Sequence, residues 1–221
     1  MPIMREANDH SSRLGLTSMR IIETKRAPNP RRVRIFLAEK SVSVEFEERD
    51  MMRGELAAAD IRAMNPWMRV PILVLDDGRT LSESVAICRY FEELYPTPAL
   101  FGNDAYTRAT IEMWNRRIEL GLFQHVAQVV RHSSAKMAAF EQPQIVEWAE
   151  ANRHKVAIEL NRIDAQLATA PFIAGEMFSI ADITAWVAID FMKAARLAVA
   201  DSLTNIARWH RAVSQRPSAR A

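Results

Sequence analysis

The residues that offer chemistry fall in two short segments. Arg69, Val70 and Pro71 precede a short apolar run, and Glu83 and Ser84 follow the turn that ends it. Residues 72–75 read as a strand that opens after a proline, where a missing N–H breaks no central ladder bond. Asp77-Gly78 is a hairpin turn signal and residues 79–81 read as the return strand. Glu83-Ser84 then opens a helix whose first N–H groups have no partner inside the helix. The set brings a backbone edge, a carboxylate and a hydroxyl to one cleft. A carboxylate takes an ammonium group, while a hydroxyl and helix N–H groups take a carboxylate. Taken singly, the pieces also describe a hairpin followed by a capped helix. The ordered set describes a binding cleft.

Composition narrows what such a cleft serves. The 221 residues suit one large domain or two small ones, and 49% apolar with 25% charged residues is ordinary for a soluble globular chain. A net charge of +2 is too small to imply a nucleic-acid partner. Arg31, Arg32 and Arg34 form the densest basic cluster; on a helical pattern they read as a solvated face with one or two functional members. The single cysteine, Cys88, permits no internal disulfide and no metal-ligand set, which suits a reducing cytoplasm. It lies one turn into the helix that opens at Glu83 and reads as a buried structural residue. His125, His132, His154 and His210 show no ligand spacing, so no metal is expected. No apolar run approaches the roughly 18 residues of a membrane span. The first 18 residues lack a secretory core and read as a disordered leader, with Met19 a candidate start.

The elements that must position the candidates follow from periodicity. Residues 19–24 and 44–49 read as strands. Residues 30–40 carry Val33, Phe36 and Leu37 at helical spacing behind Pro30, and residues 56–64 read as a short helix. With the hairpin and a helix over residues 83–94, the order is β-α-β-α-β-β-α, a thioredoxin-like layout. Residues 95–98 end this part as a proline-stiffened linker. Beyond it only helices are signalled, over residues 104–134, 144–168, 180–197 and 203–215. Ser179 and Asp182 form a capping box at one helix start and read as folding residues. The fold class is thus an N-terminal α/β, thioredoxin-like domain (residues 19–96), a linker (97–103) and an all-helical C-terminal domain (104–221).

The Val70-Pro71 and Glu83-Ser84 arrangement resembles the glutathione-binding half of the cytosolic glutathione transferase superfamily, of bacterial type. The resemblance covers nearly all of the chain from Met19 onward. It implies a cis Val70-Pro71 peptide, pairing of the Val70 backbone with the cysteinyl part of glutathione, and a γ-glutamyl end held by Glu83 and Ser84. Arg69 would pair with the glycyl carboxylate, with Arg53 a weaker alternative. It also implies glutathione as co-substrate, a hydrophobic electrophile as second substrate, a homodimer and a cytoplasmic enzyme of detoxification.

A transferase of this kind needs a thiolate at neutral pH, and a free thiol has a pKa near 8.5. Lowering it by about two units takes roughly 2.7 kcal/mol, within reach of one charge-assisted hydrogen bond. The family places the donor just before the first helix, six residues ahead of Val33, where many classes carry Ser, Thr or Cys; this chain has Ala27. Asn29 is therefore the expected thiolate stabiliser, although Asn is also a favoured helix cap and Pro30 would follow it as the first helical residue. Thr24 and Arg26 are reserve donors. The second-substrate pocket is expected from Met113, Trp114 and Arg117, with Phe123 and Phe191 beside them. Ala27 keeps a further reading open, a glutathione-binding carrier or regulatory module. Peroxide reduction or isomerisation through the same thiolate also stays open.

Overall fold

A computed structural model describes residues 19–221, so the expectation of a disordered leader lies outside the described residues. Four strands, β1 (Arg20–Glu23), β2 (Glu45–Glu48), β3 (Ile72–Val74) and β4 (Thr80–Ser82), form one sheet in the order β2-β1-β3-β4. β1 runs parallel to β2 and antiparallel to β3, and β4 returns antiparallel beside β3. Helices α1 (Pro28–Glu39), α2 (Ala59–Met64) and α3 (Ser84–Leu94) complete the thioredoxin-like half. The helical half holds α4 (Ala105–Arg117), α5 (Gln124–Ser133), α6 (Val146–Leu167), α7 (Ile180–Phe191) and α8 (Thr204–Ser214).

Strand alternation divides the interior. Ile21 and its cross-strand partner Leu73 face a large core that continues into the helical half. Ile22 and its partner Ile72 face a small cluster with Ile61 of α2 and Val74. α7 is the central helix: every residue from Ile180 to Ile189 is buried, as an all-round apolar helix must be. Ser179 and Asp182 fix its start. Asp182, wholly buried, accepts from the Ser179 N–H and hydroxyl, the Ile173 N–H and the Trp209 indole N–H of α8.

Several local expectations are corrected. Helix α1 begins at Pro28 with Ala27 at its N-cap, so Asn29 lies inside the first turn and caps nothing. The arginine cluster is not a solvated face. Arg32 is 1% exposed, Arg31 bonds Asp190 of α7 at 2.7 Å and stacks over Trp186, and Arg34 bonds Glu23 and the Lys25 carbonyl. The reason is that α1 is packed on several sides: Arg31 meets α7, Arg32 meets the start of α3 and Glu119, and Arg34 meets the end of β1. The continuous helix expected over residues 104–134 is divided by a π-helical stretch at Ile118–Phe123. The helix from Ile180 stops at Phe191, continues as a 3-10 turn over Met192–Ala195, and ends where Arg196 turns left-handed at φ 55°.

Both halves are tied through α1. The Lys40 ammonium after its last turn, buried, bonds Glu92 and the Tyr95 and Pro98 carbonyls. Arg216 near the C-terminus grips Glu39 with two bonds of 2.7 and 2.6 Å, and the Ser218 hydroxyl donates to the same carboxylate.

Two stability predictions follow from the carboxylates near the two ends of α7, Asp182 and Asp190. Asp182→Ala strands the N–H groups of Ile173 and Trp209, so it should lower stability by about 3–5 kcal/mol in denaturant melts; a loss below about 1 kcal/mol would exclude the role. At Asp190 burial opposes the charge, but hydrogen bonds from His210 and Arg31 outweigh it and hold the pKa at about 2, against 3.8 for a free carboxyl. A lowered carboxylate pKa stabilises the fold above pH ~4 and loses that contribution as pH falls towards ~2. The wild type should therefore lose up to about 2 kcal/mol more than Asp190→Asn across that window. Equal losses in thermal melts would refute it.

Candidate active site

The cleft is assembled where the hairpin, the start of α3 and the start of α1 converge. The Val70-Pro71 bond is cis, and Val70 lies two residues ahead of Ile72, the first residue of β3 paired to its neighbours. Its loop is braced by Asn65, which is buried; the Asn65 amide donates to the Arg69 carbonyl at 2.9 Å and accepts from the Trp67 N–H. Only the Arg69 backbone is held this way. Its side chain stands exposed, as does Arg53, which pairs with Asp50.

Glu83 adopts φ 71° and ψ 114° as the residue before α3. A non-glycine residue rarely takes a positive φ, and such a conformation persists where the surroundings impose it. It leaves the Glu83 side chain exposed while Ser84 turns inward, 4% exposed. The Ser84 hydroxyl accepts from Arg32 at 2.8 Å, so its own proton is left to donate elsewhere.

The opening turn of α1 holds the other group of donors. Pro28 and Pro30 have no N–H, and the Arg31 N–H already bonds the Ala27 carbonyl. This leaves the Asn29 N–H as the open donor of the first turn, next to its own exposed side-chain amide. Arg31 is therefore not an available donor. Among the reserves, the Thr24 hydroxyl is spent on the Arg49 carbonyl at 2.7 Å, and Arg26 is exposed. Arg32, one turn beyond Asn29, reaches Ser84 and so ties α1 to the start of α3.

The proposed second-substrate residues divide into two groups. Trp114 is half-buried under the Arg117 guanidinium, 4.7 Å from ring centroid, and Met113 is 40% exposed. Phe123 packs edge-to-face on Phe191 at 6.1 Å and carries the Arg32 guanidinium over its ring. Cys88 is fully buried, and burial pushes its thiol up, which leaves no reactive thiolate there. Among the described residues no cluster of three metal-ligating side chains occurs, and no helix is long and apolar enough to cross a membrane.

The sequence reading placed Arg32 in a solvated basic cluster and did not single out Glu119. The signal for Arg32 was its place four residues ahead of Phe36, on the apolar face of the helix. Glu119 gave no local signal, because the π-helical stretch that positions it was unexpected.

The residues present suit glutathione. Donors at Ser84 and the α3 terminus fit a carboxylate, Glu83 fits an ammonium, and the Val70 edge fits a peptide. Residues 27–94 match the N-terminal domain and residues 128–217 the C-terminal domain of glutathione S-transferase. The chain is 34% identical over 203 residues to glutathione S-transferase 2 of Saccharomyces cerevisiae, covering 90% of this chain and 87% of that protein. The solved structure of Gtt2 from the same yeast superposes with a TM-score of 0.87, over 91% of this chain and 98% of that one, at 34% identity. A shorter likeness, 39% over 93 residues, joins 41% of this chain to 44% of the maleylacetoacetate isomerase of Pseudomonas aeruginosa. The chain belongs to the glutathione S-transferase family and is a glutathione transferase.

Proposed function

We propose that this enzyme binds glutathione across Val70, Glu83 and Ser84 and stabilises its thiolate at Asn29. The sulfur then adds to an electrophilic carbon of a hydrophobic substrate. The observation that carries the reading is the opening turn of α1. Two prolines strip it of donors except at Asn29, whose N–H lies at the positive end of the helix and whose amide is uncommitted. Ser84, fixed through Arg32, takes the γ-glutamyl carboxylate, and Arg69 offers a forked partner for the glycyl carboxylate. Catalysis is then positioning plus stabilisation of the developing thiolate. Met113, Trp114 and Arg117 line the second-substrate side, an apolar wall with one cation. Isomerisation through the same thiolate is a second reading, favoured by the likeness to the isomerase.

The chain divides into a glutathione domain (19–96) and a helical domain (104–221), works in the cytoplasm as a detoxifying enzyme, and forms a homodimer. Tyr106 and Met113, seven apart on α4, are 80% and 40% exposed, and Leu120 in the π-helical stretch that follows is 56% exposed. These exposed apolar side chains are the contact we assign to the second copy, with Met113 between the interface and the electrophile pocket.

Asn29→Ala should lower turnover of 1-chloro-2,4-dinitrobenzene about tenfold while glutathione affinity stays within about threefold, because it removes a hydrogen bond to the charged sulfur. The 240 nm thiolate band of the complex should move up by about one pH unit. Unchanged turnover and band would remove Asn29 from the mechanism. Glutathione binding without a thiolate band in the wild type would favour the carrier reading. Leu120→Arg should give a monomer by light scattering; an unchanged mass would move the interface elsewhere.

A further inference from the structure

Arg32 is the most deeply buried cation of the site, and it is not fully paired. Its side chain is 1% exposed, and one terminal nitrogen bonds both the Ser84 hydroxyl at 2.8 Å and Glu119 at 2.9 Å. The remaining nitrogens, Nε and Nη2, are buried without a partner among the described residues. Glu119 is 27% exposed and also pairs with Arg116 at 3.5 Å, so solvent and a second cation weaken its hold on the guanidinium. Apolar residues commonly replace a buried ion pair with no loss of stability, so orphaned cationic donors beside a ligand site call for a role.

We propose that Arg32 is a positioning residue for glutathione that acts through Ser84. By filling a lone pair of the Ser84 oxygen it turns the hydroxyl proton outward, towards the γ-glutamyl carboxylate. Its incompletely balanced charge adds to the attraction for that anion. The guanidinium is itself located from the helical half: Glu119 comes from the π-helical stretch at Ile118–Phe123, and Phe123 of the same stretch lies under Arg32, 5.0 Å from ring centroid. The wide turn thus brings two residues of the second domain onto the hydroxyl donor of the first. This inference rests on the assignment of Ser84 to glutathione.

The test is a double-mutant cycle read in steady-state kinetics of the full-length enzyme. Arg32→Lys keeps the charge and loses the fork, and Glu119→Gln leaves Arg32 in place but releases its anchor. Ser84→Ala should raise the glutathione KM about tenfold. Arg32→Lys should raise it about five- to tenfold with kcat at saturating glutathione within about threefold, and should add less than twofold in the Ser84→Ala background. Glutathione amidated at the glutamyl α-carboxylate should show no Arg32→Lys effect. If Arg32→Lys does not fold, Glu119→Gln carries the same cycle, with an expected rise of about threefold that also disappears without Ser84. An unchanged KM in both variants, or equal factors in both backgrounds, would overturn the inference. If Ser84→Ala itself leaves the glutathione KM unchanged, the assignment of the glutathione site fails instead, and the inference fails with it.

Discussion

The burial of α1 against α7 is the constraint on which the rest of the molecule depends. One face of this helix covers the sheet through Val33, Phe36 and Leu37, and the other meets the helical half through arginines. Cations in that position must find anions across the seam or be excluded, because an unpaired buried charge costs several kcal/mol. Asp190 and Glu119 meet that demand from two different parts of the helical half. The relative placement of the halves is therefore written in charge pairs at the opening turns of α1. The same turns carry Asn29 at the cleft, so the interface and the site share one helix.

The helical half has a matching centre. Asp182 gathers the loop before α7, the start of α7 and the indole of α8 on one carboxylate. Burial pushes its pKa up to about 6, against bonds from Ile173, Trp209 and Ser179 that favour the charge. These donors are oriented by elements distant in sequence, so the carboxylate acts as a clasp that needs the fold complete before it closes. With α7 so fixed, Asp190 at its far end is delivered to Arg31 and His210.

What was legible in the sequence was local. The Asp77-Gly78 hairpin and the Ser179–Asp182 box are each set by residues within a few positions, where turn and cap chemistry leaves few alternatives, whereas the cis Val70-Pro71 bond was expected from the family resemblance. The helix start at Glu83-Ser84 was readable from the order of residues along the chain, although the positive φ of Glu83 was not. The arginine cluster was misread because charge implies exposure by default, and whether Arg32 is buried depends on a carboxylate 87 positions away. The start of α1 was misplaced because two prolines both qualify as first helical residues, and the structure takes the earlier one. The π-helical stretch has no sequence period of its own. Gly121 within it faces the Glu159 carboxylate, 3.2 Å from where a Cβ would stand, which is a tertiary fit and not a local preference.

The clamp around the linker bears on how a substrate enters. Lys40 holds the Tyr95 and Pro98 carbonyls, and Glu39 holds the chain end through Arg216 and Ser218. A segment whose carbonyls are gripped by a buried ammonium is a rivet and not a hinge. Opening the cleft by a hinge there would have to break these contacts first, so movement of side chains at the rim is the cheaper way in.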